Sequence, residues 1–95
     1  MPPENPLPRF SLVIPAYNEE RFLPRLLDSV EVAAHRYAHG AAAVEVIVAD
    51  NASTDRTAEL ARERRCRVVP VAKRSIAAAR NAGGAAARAE FVGFV

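Results

Sequence analysis

The chain has 95 residues, of which 51% are hydrophobic and 25% charged, with a formal net charge of +2 at pH 7. This composition excludes a disordered polar tail, and the length fits one small domain. No apolar stretch approaches the ~18 residues that a transmembrane helix needs, so no such segment is predicted. A single cysteine, Cys66, cannot form an internal disulfide, which predicts a reducing, cytoplasmic location.

Basic residues slightly outnumber acidic ones, and four arginines cluster between residues 62 and 67. A nucleic-acid-binding surface would be longer and interleaved with aromatic rings for base stacking. Here Glu59 and Glu63 interrupt the cluster, so a solvated helix face is favoured and no nucleic-acid partner is predicted. Residues 1–9 contain four prolines and no apolar signal-peptide core, which predicts a flexible leader.

Four short apolar runs, rich in β-branched or aromatic residues, predict strands at residues 10–14, 44–49, 68–71 and 91–95. Their near-continuous apolarity is typical of strands that are covered on both faces. Segments with helical spacing separate them, which gives the order β-α-β-α-β-α-β. This alternation predicts an α/β fold with a parallel sheet and helices packed on its faces.

The helix boundaries can also be predicted. Pro24 is tolerated only in a first turn, so the first helix is expected to begin near Glu20 or Arg21. The second helix follows Ser53–Asp55, whose side chains could cap it. The third is rich in alanine and spans about residues 76–88, with an interruption expected at Gly83-Gly84.

In open α/β sheets, ligands bind at the carboxyl ends of the strands. Polar and aromatic residues follow the first two strands, and basic residues follow the third. There, Asp50 or Asn51 could accept a hydrogen bond from an N–H group of a nucleotide base, and the Tyr17 ring could stack on that base. The backbone of Pro15 and Ala16 is available for a base edge or a ribose hydroxyl.

The remaining polar groups suit the other parts of a nucleotide. Glu19 could accept a hydrogen bond from a ribose hydroxyl, while Lys73, Arg74 and Arg80 could counter a diphosphate. The chain contains neither a GxGxxG motif nor a Walker phosphate loop. This absence argues against a nicotinamide dehydrogenase and a P-loop NTPase.

Each of these signals also has a purely structural interpretation. Asn18 and Glu19 could simply begin a helix, and Ser53–Asp55 could only cap one. Tyr17 could be an ordinary packed ring, and Arg80 could pair with a carboxylate. The two histidines, four residues apart on or just after the first helix, lack a third ligand, so no metal site is predicted from them.

Three segments in order, Leu12–Glu20, Val46–Asp55 and Ala77–Gly83, together resemble the start of a family 2 glycosyltransferase of the GT-A fold. The resemblance covers residues 10–95. It implies a Rossmann-like three-layer α/β/α arrangement with a mostly parallel sheet, as an incomplete GT-A domain.

The resemblance also implies an activity, of the hexosyltransferase type: transfer of a sugar from a nucleoside diphosphate sugar to the hydroxyl of an acceptor not identified by the sequence. A divalent cation, Mg²⁺ or Mn²⁺, is expected for the full enzyme. The family positions that bind the donor correspond to seven residues of this chain: Pro15, Ala16, Tyr17, Glu19, Asp50, Asn51 and Arg80.

Two features depart from the family pattern. Many members have two acids where this chain has Asp50-Asn51, which leaves the base and its contact residue open. In the family, a strand like residues 91–95 runs into an Asp-x-Asp motif that chelates the metal, and this chain stops just before it.

From this departure we expect residues 10–95 to be the donor-binding part of the enzyme, without catalytic or metal-binding residues and inactive alone. An uncovered last strand would also favour marginal stability or self-association. The alternative is a non-catalytic nucleotide-binding or interaction module on the same scaffold.

Overall fold

The structure, a computed structural model, describes residues 7–95; most of the predicted leader lies outside the described part. The predicted alternation of strands and helices is confirmed, with one additional 3₁₀ turn. In chain order the elements are β1 (Phe10–Ala16), α1 (Leu23–Arg36), the 3₁₀ turn (Ala41–Ala43), β2 (Val44–Asp50), α2 (Thr57–Glu63), β3 (Arg67–Pro70), α3 (Ile76–Ala86) and β4 (Phe91–Phe94).

The four strands form one parallel sheet in the order β3-β2-β1-β4. In the central pair, Phe10 lies opposite Val44 and Ala16 opposite Asp50, so both strands end at the same level. The central strands are covered on both faces, as predicted. The edge strand β4 is not, since Phe91 and Phe94 are exposed.

Helices α1 and α2 cover one face of the sheet. Ile14 of β1 and Val48 of β2 are buried there against Leu23 and Leu27 of α1 and Ala61 of α2. Ile14 and Val48 lie opposite each other in the sheet, and Leu23 and Leu27 are four residues apart on α1, so these side chains meet on one face. Most of the large buried aliphatic residues therefore lie on this face.

Helix α3 covers the opposite face and completes the predicted three-layer α/β/α arrangement. Ala79 of α3 and Ala49 of β2 are fully buried there, together with Val71. Small side chains at these positions let the helix approach the sheet closely.

The closest approach occurs at Gly83, where a Cβ atom would lie 2.3 Å from Cγ1 of Val13. The helix continues through Gly83 and Gly84 to Ala86, so the predicted interruption at the two glycines is wrong. Packing explains the difference, because a glycine at position 83 is required by the neighbouring strand rather than by a turn.

Helix α1 begins at Leu23, slightly later than predicted. The backbone N–H groups of Phe22 and Leu23 both donate to the carbonyl oxygen of Glu19, at 3.0 and 2.8 Å, and form a turn before the helix. Pro24 then falls in the first turn, where its missing N–H costs no hydrogen bond.

Replacement of Gly83 by alanine is expected to lower the free energy of unfolding by about 1–3 kcal/mol, because Val13 is fully buried and cannot move freely. Gly84 provides the control. A Cβ there would lie 3.5 Å from the Phe94 ring, an ordinary contact, and alanine favours the helix. Urea unfolding of both variants measures the difference, and equal effects would contradict the close-approach argument.

A buried carboxylate, Glu45, connects the strands at the amino end of the sheet. Its oxygens accept hydrogen bonds from Ser11 Oγ at 2.6 Å, Arg67 Nη1 at 2.6 Å, and Arg88 Nε and N at 2.8 and 3.1 Å. Burial alone raises the pKa of Glu45, but these hydrogen bonds outweigh it and lower the pKa to about 2. Glu45 therefore stays ionised and links β1, β2, β3 and the segment before β4.

Within the described residues, no helix combines the length and apolarity needed to cross a membrane.

Candidate nucleotide site

Three loops leave the carboxyl ends of neighbouring strands: loop 1 (residues 17–22) after β1, loop 2 (residues 51–56) after β2, and loop 3 (residues 71–75) after β3. Backbone hydrogen bonds continue the sheet into them. Asn51 N–H donates to the Ala16 carbonyl at 2.8 Å, and Val71 N–H donates to the Asp50 carbonyl at 2.8 Å. The loops therefore start from fixed positions at one edge of the sheet, as predicted for a ligand site.

Loops 1 and 2 are joined through Asn18. Its backbone N–H donates to Ser53 Oγ at 2.9 Å, and its Oδ1 accepts from the backbone N–H of Thr54 at 2.8 Å. Asn18 has a positive φ of 49°, a conformation that asparagine tolerates better than most residues. Asn18 therefore joins two loops, a contact that the sequence analysis did not predict, and α1 begins at Leu23 without a side-chain cap.

A second contact between the loops passes through Thr57, which is fully buried at the start of α2. Its hydroxyl accepts a hydrogen bond from Glu19 N–H at 2.8 Å and donates to the Asp55 carboxylate. Asp55 also accepts from the backbone N–H groups of Thr57, at 2.9 Å, and Glu20, at 3.2 Å. Burial works against ionisation here, but these hydrogen bonds hold the pKa of Asp55 below its usual value.

The two polar residues at the end of β2 have different surroundings. Asp50 is half-buried, and its Oδ1 accepts a hydrogen bond from the backbone N–H of Ser53 at 3.2 Å. Asn51 is 5% exposed, and its Nδ2 donates to the Ser75 carbonyl at 2.6 Å. Among the described residues, its Oδ1 is buried without a hydrogen-bond partner.

Buried polar atoms almost always have a partner, so the Asn51 oxygen calls for a donor that the described chain does not supply. One N–H of the Asn51 amide donates to the Ser75 carbonyl, which fixes the orientation of the amide. The buried atom that has no partner is the acceptor Oδ1.

Tyr17 lies at the start of loop 1 and is 37% exposed. The guanidinium carbon of Arg74, in loop 3, lies 3.5 Å from the centroid of the Tyr17 ring. The ring that is predicted to stack on a base is thus partly exposed, but in this structure an arginine lies over it. Sequence reasoning placed both residues at the sheet edge and missed their contact.

The other predicted residues occupy neighbouring positions. Glu19, Pro15 and Ala16 line a cavity of about 210 Å³ that also includes Val95. Arg80 is exposed on α3, and its guanidinium carbon lies 5.0 Å from the Phe94 ring centroid. It forms no ion pair within the described chain, so the structural interpretation of Arg80 as a carboxylate partner is not supported there.

The described residues do not form a metal centre. Within residues 7–95, no three histidine, cysteine, aspartate or glutamate side chains are grouped to hold an ion. At the sheet edge, Asp50 and Asp55 already accept hydrogen bonds from their own loop and from Thr57. These residues therefore do not fit a divalent cation.

A larger cavity, of about 630 Å³, lies between α1 and the end of α2, away from the three loops. Arg64 at its rim pairs with Asp28 at 2.7 Å and Glu31 at 3.4 Å. Burial raises the pKa of the Cys66 thiol, which also lines this cavity, so the thiol is protonated at neutral pH.

A parallel sheet with helices on both faces and polar loops at its carboxyl edge is the arrangement of a Rossmann-like α/β fold. The family model described as Glycosyl transferase family 2 matches residues 11–95, and the chain belongs to this family.

Individual relatives agree with this assignment. The uncharacterized glycosyltransferase EpsJ of Bacillus subtilis (strain 168) is 32% identical over 94 residues, which cover 94% of this chain and 26% of that protein. A 4,4'-diaponeurosporenoate glycosyltransferase of Staphylococcus haemolyticus (strain JCSC1435) is 48% identical over 61 residues, or 64% of this chain and 14% of that protein.

The crystal structure of S. aureus TarS 1-349 in complex with UDP superposes with a TM-score of 0.79 at 29% identity. The match covers 92% of this chain and 26% of that chain. The chain therefore spans about a quarter or less of the length of these relatives. The predicted family and GT-A-like fold are confirmed.

Proposed function

We propose that the chain binds the nucleotide of a nucleoside diphosphate sugar at the carboxyl ends of β1, β2 and β3. The observation that carries this proposal is the buried Oδ1 of Asn51, which has no partner among the described residues. By the resemblance to the family, Asn51 belongs to the pair of positions from which one residue holds the base, and TarS, a similar protein, was crystallised with UDP. A base that supplies an N–H group would give this oxygen its missing hydrogen bond.

The fixed amide of Asn51 also restricts which base fits. Uracil and guanine carry an N–H on the ring nitrogen of the pairing edge, and this group can donate to Oδ1. Cytosine has an unprotonated nitrogen at the corresponding position, so two acceptors would face each other. Since the NH₂ group of Asn51 is held by Ser75, the side chain cannot turn to donate instead.

The remaining predicted residues surround this contact. The ring of Tyr17 provides the stacking face, and the backbone of Pro15 and Ala16 borders the base and ribose. Glu19 accepts from a ribose hydroxyl, and Arg80, exposed in the middle of α3, attracts the diphosphate. Asp50 shapes loop 2 through its hydrogen bond to Ser53.

In the complete reaction, an acceptor oxygen forms a bond to the anomeric carbon of the sugar while the bond to the diphosphate breaks. The hydroxyl proton passes to a base, and the nucleoside diphosphate leaves. We infer that residues 10–95 supply donor binding to such a hexosyltransferase and are inactive alone. A divalent cation, Mg²⁺ or Mn²⁺, is expected only for the full enzyme, with ligands that residues 7–95 do not supply.

Two further properties belong to the same proposal. The single Cys66 supports a reducing, cytoplasmic location. The exposed side chains of β4, Phe91, Val92 and Phe94, support self-association of this chain through the sheet edge, which size-exclusion chromatography over a range of concentrations would test.

The proposed function is tested by calorimetric titration of the chain with UDP, GDP and CDP. We expect UDP or GDP to bind at least about tenfold more tightly than CDP, because only uracil and guanine have a ring N–H on the pairing edge that can donate to Asn51 Oδ1. Equal affinities would contradict the assignment of Asn51, and binding of none of the three would overturn the donor site. In parallel, incubation with nucleoside diphosphate sugars and Mn²⁺ is expected to give no transfer; turnover would contradict the inferred inactivity.

A further inference from the structure

Arg74 lies over the aromatic ring that the proposed function assigns to the base. Its guanidinium carbon is 3.5 Å from the centroid of the Tyr17 ring, and the arginine is exposed. It has no ion pair with any carboxylate of residues 7–95. A guanidinium that stacks on a ring and has no acidic partner keeps its N–H donors available for an anion.

The backbone next to Arg74 is fixed. The carbonyl of Ser75 accepts from Asn51 Nδ2 at 2.6 Å, and Ser75 Oγ accepts from Ala78 N–H at 3.2 Å, which caps α3. The start of loop 3 is held by the hydrogen bond from Val71 to Asp50. The backbone at Arg74 is therefore held in place, whereas its long side chain is exposed. The side chain can leave the ring without disturbing Asn51.

We propose that Arg74 is a positioning residue that exchanges partners when the donor binds. Its guanidinium leaves the Tyr17 ring, the base stacks on the uncovered face, and the guanidinium binds the diphosphate. The proposal rests on the proposed function, since it requires the base at Asn51 and Tyr17. It adds a selection step that distinguishes a nucleoside diphosphate from a nucleoside.

The relative strength of the two contacts gives the exchange its direction. A cation stacked on an exposed ring is held weakly, whereas an arginine can form two charge-assisted hydrogen bonds to phosphate oxygens. A base cannot occupy the face of Tyr17 that the guanidinium covers. A nucleoside must therefore displace Arg74 without compensation, whereas a nucleoside diphosphate supplies the new partner.

Titration of the Arg74→Ala variant with UDP and with uridine tests the exchange. The Kd is expected to change in opposite directions for the two ligands. Loss of the phosphate contact is expected to raise the Kd for UDP roughly tenfold. Removal of the group that covers Tyr17 is expected to lower the Kd for uridine about two- to fivefold. Arg36→Ala, an exposed arginine in the last turn of α1, changes the net charge equally and is expected to leave both values unchanged.

The possible outcomes separate the proposal from the function on which it rests. Weaker binding of both ligands to Arg74→Ala would mean that Arg74 is a permanent part of the stack, and unchanged binding would mean a solvated charge. Either result overturns the exchange and leaves the donor site intact. Failure of the unmodified chain to bind UDP would overturn the donor site itself.

NMR of the tyrosine rings gives a second readout that a merely structural role would not change. The chain has only two tyrosines, and Tyr37 packs against His39, so it serves as an internal reference. We expect UDP to shift the Tyr17 ring signals and to release the Arg74 side chain from its ring-current shift. An Arg74 signal that keeps its shift in the UDP complex would contradict the exchange.

Discussion

Replacement of Glu45 by glutamine is expected to lower the free energy of unfolding by about 3 kcal/mol at pH 7. Glutamine keeps the size of the side chain but removes the charge that Arg67 and Arg88 contact at 2.6 and 2.8 Å. The fall of the pKa from 4.5 to about 2 means that folding favours the ionised form by this amount. Urea unfolding of the two proteins at pH 7 measures the difference.

The same carboxylate makes stability depend on pH in a defined direction. Because the pKa of Glu45 is lower in the folded state, its contribution is complete above about pH 4.5 and is lost as the pH falls towards 2. The unfolding free energies of the unmodified chain and of Glu45→Gln should therefore converge over this range. A difference that stays constant down to pH 2 would contradict the ionised carboxylate as its cause.

Glu59→Gln is the control for this prediction. Glu59 also pairs with an arginine, since Arg56 Nε lies 2.8 Å from its Oε2, but both side chains are more than half exposed. Solvent screens such a pair, so we expect little change in stability at any pH. Comparison of the two variants would show whether the loss of stability in Glu45→Gln comes from burial of the ion pair or from the change of charge alone.

Replacement of Asn51 by alanine is expected to weaken UDP binding at least about tenfold and to remove the preference for UDP over CDP. The change deletes the only side-chain oxygen at the site that is buried without a partner in the described chain. Titration of the variant with both nucleotides measures the two effects. An unchanged ratio of the Kd values for UDP and CDP would exclude Asn51 as the residue that recognises the base.

Asp50→Asn is the matched comparison, because the sequence leaves open which of the two neighbours contacts the base. An asparagine at position 50 can still accept the hydrogen bond from Ser53 N–H, which in this structure lies 3.2 Å from Asp50 Oδ1. We expect this variant to keep the same ratio of the Kd values for UDP and CDP. Loss of the preference in Asp50→Asn alone would assign base recognition to Asp50.

The parts of the fold that depend on repeated local patterns could be predicted from the sequence. Apolar runs located the four strands, and helical spacing located the helices between them. The errors arose where a single contact overrides local propensity. Gly83 does not interrupt α3, because its requirement comes from Val13 on another element, and α1 starts late because the Glu19 carbonyl closes a turn.

The site could be predicted at the level of its position, because parallel strands bring their carboxyl ends to one edge. Its internal contacts could not. The choice between Asp50 and Asn51 depends on a carbonyl at Ser75, in another loop, and the contact of Tyr17 with Arg74 also joins separate loops. One signal was available and unused: an acid within the apolar run of β2, Glu45, requires buried partners.

The hydrogen bonds between loops 1 and 2 also bear on how donor preference could be altered. Asn18 is held by Ser53 and Thr54, and Glu19 by Thr57, so neither loop has its conformation independently of the other. A chimera that takes loop 1 from a relative and keeps loop 2 would leave these partners mismatched. If this edge binds the donor as proposed, a change of specificity in this chain requires both loops to be replaced together.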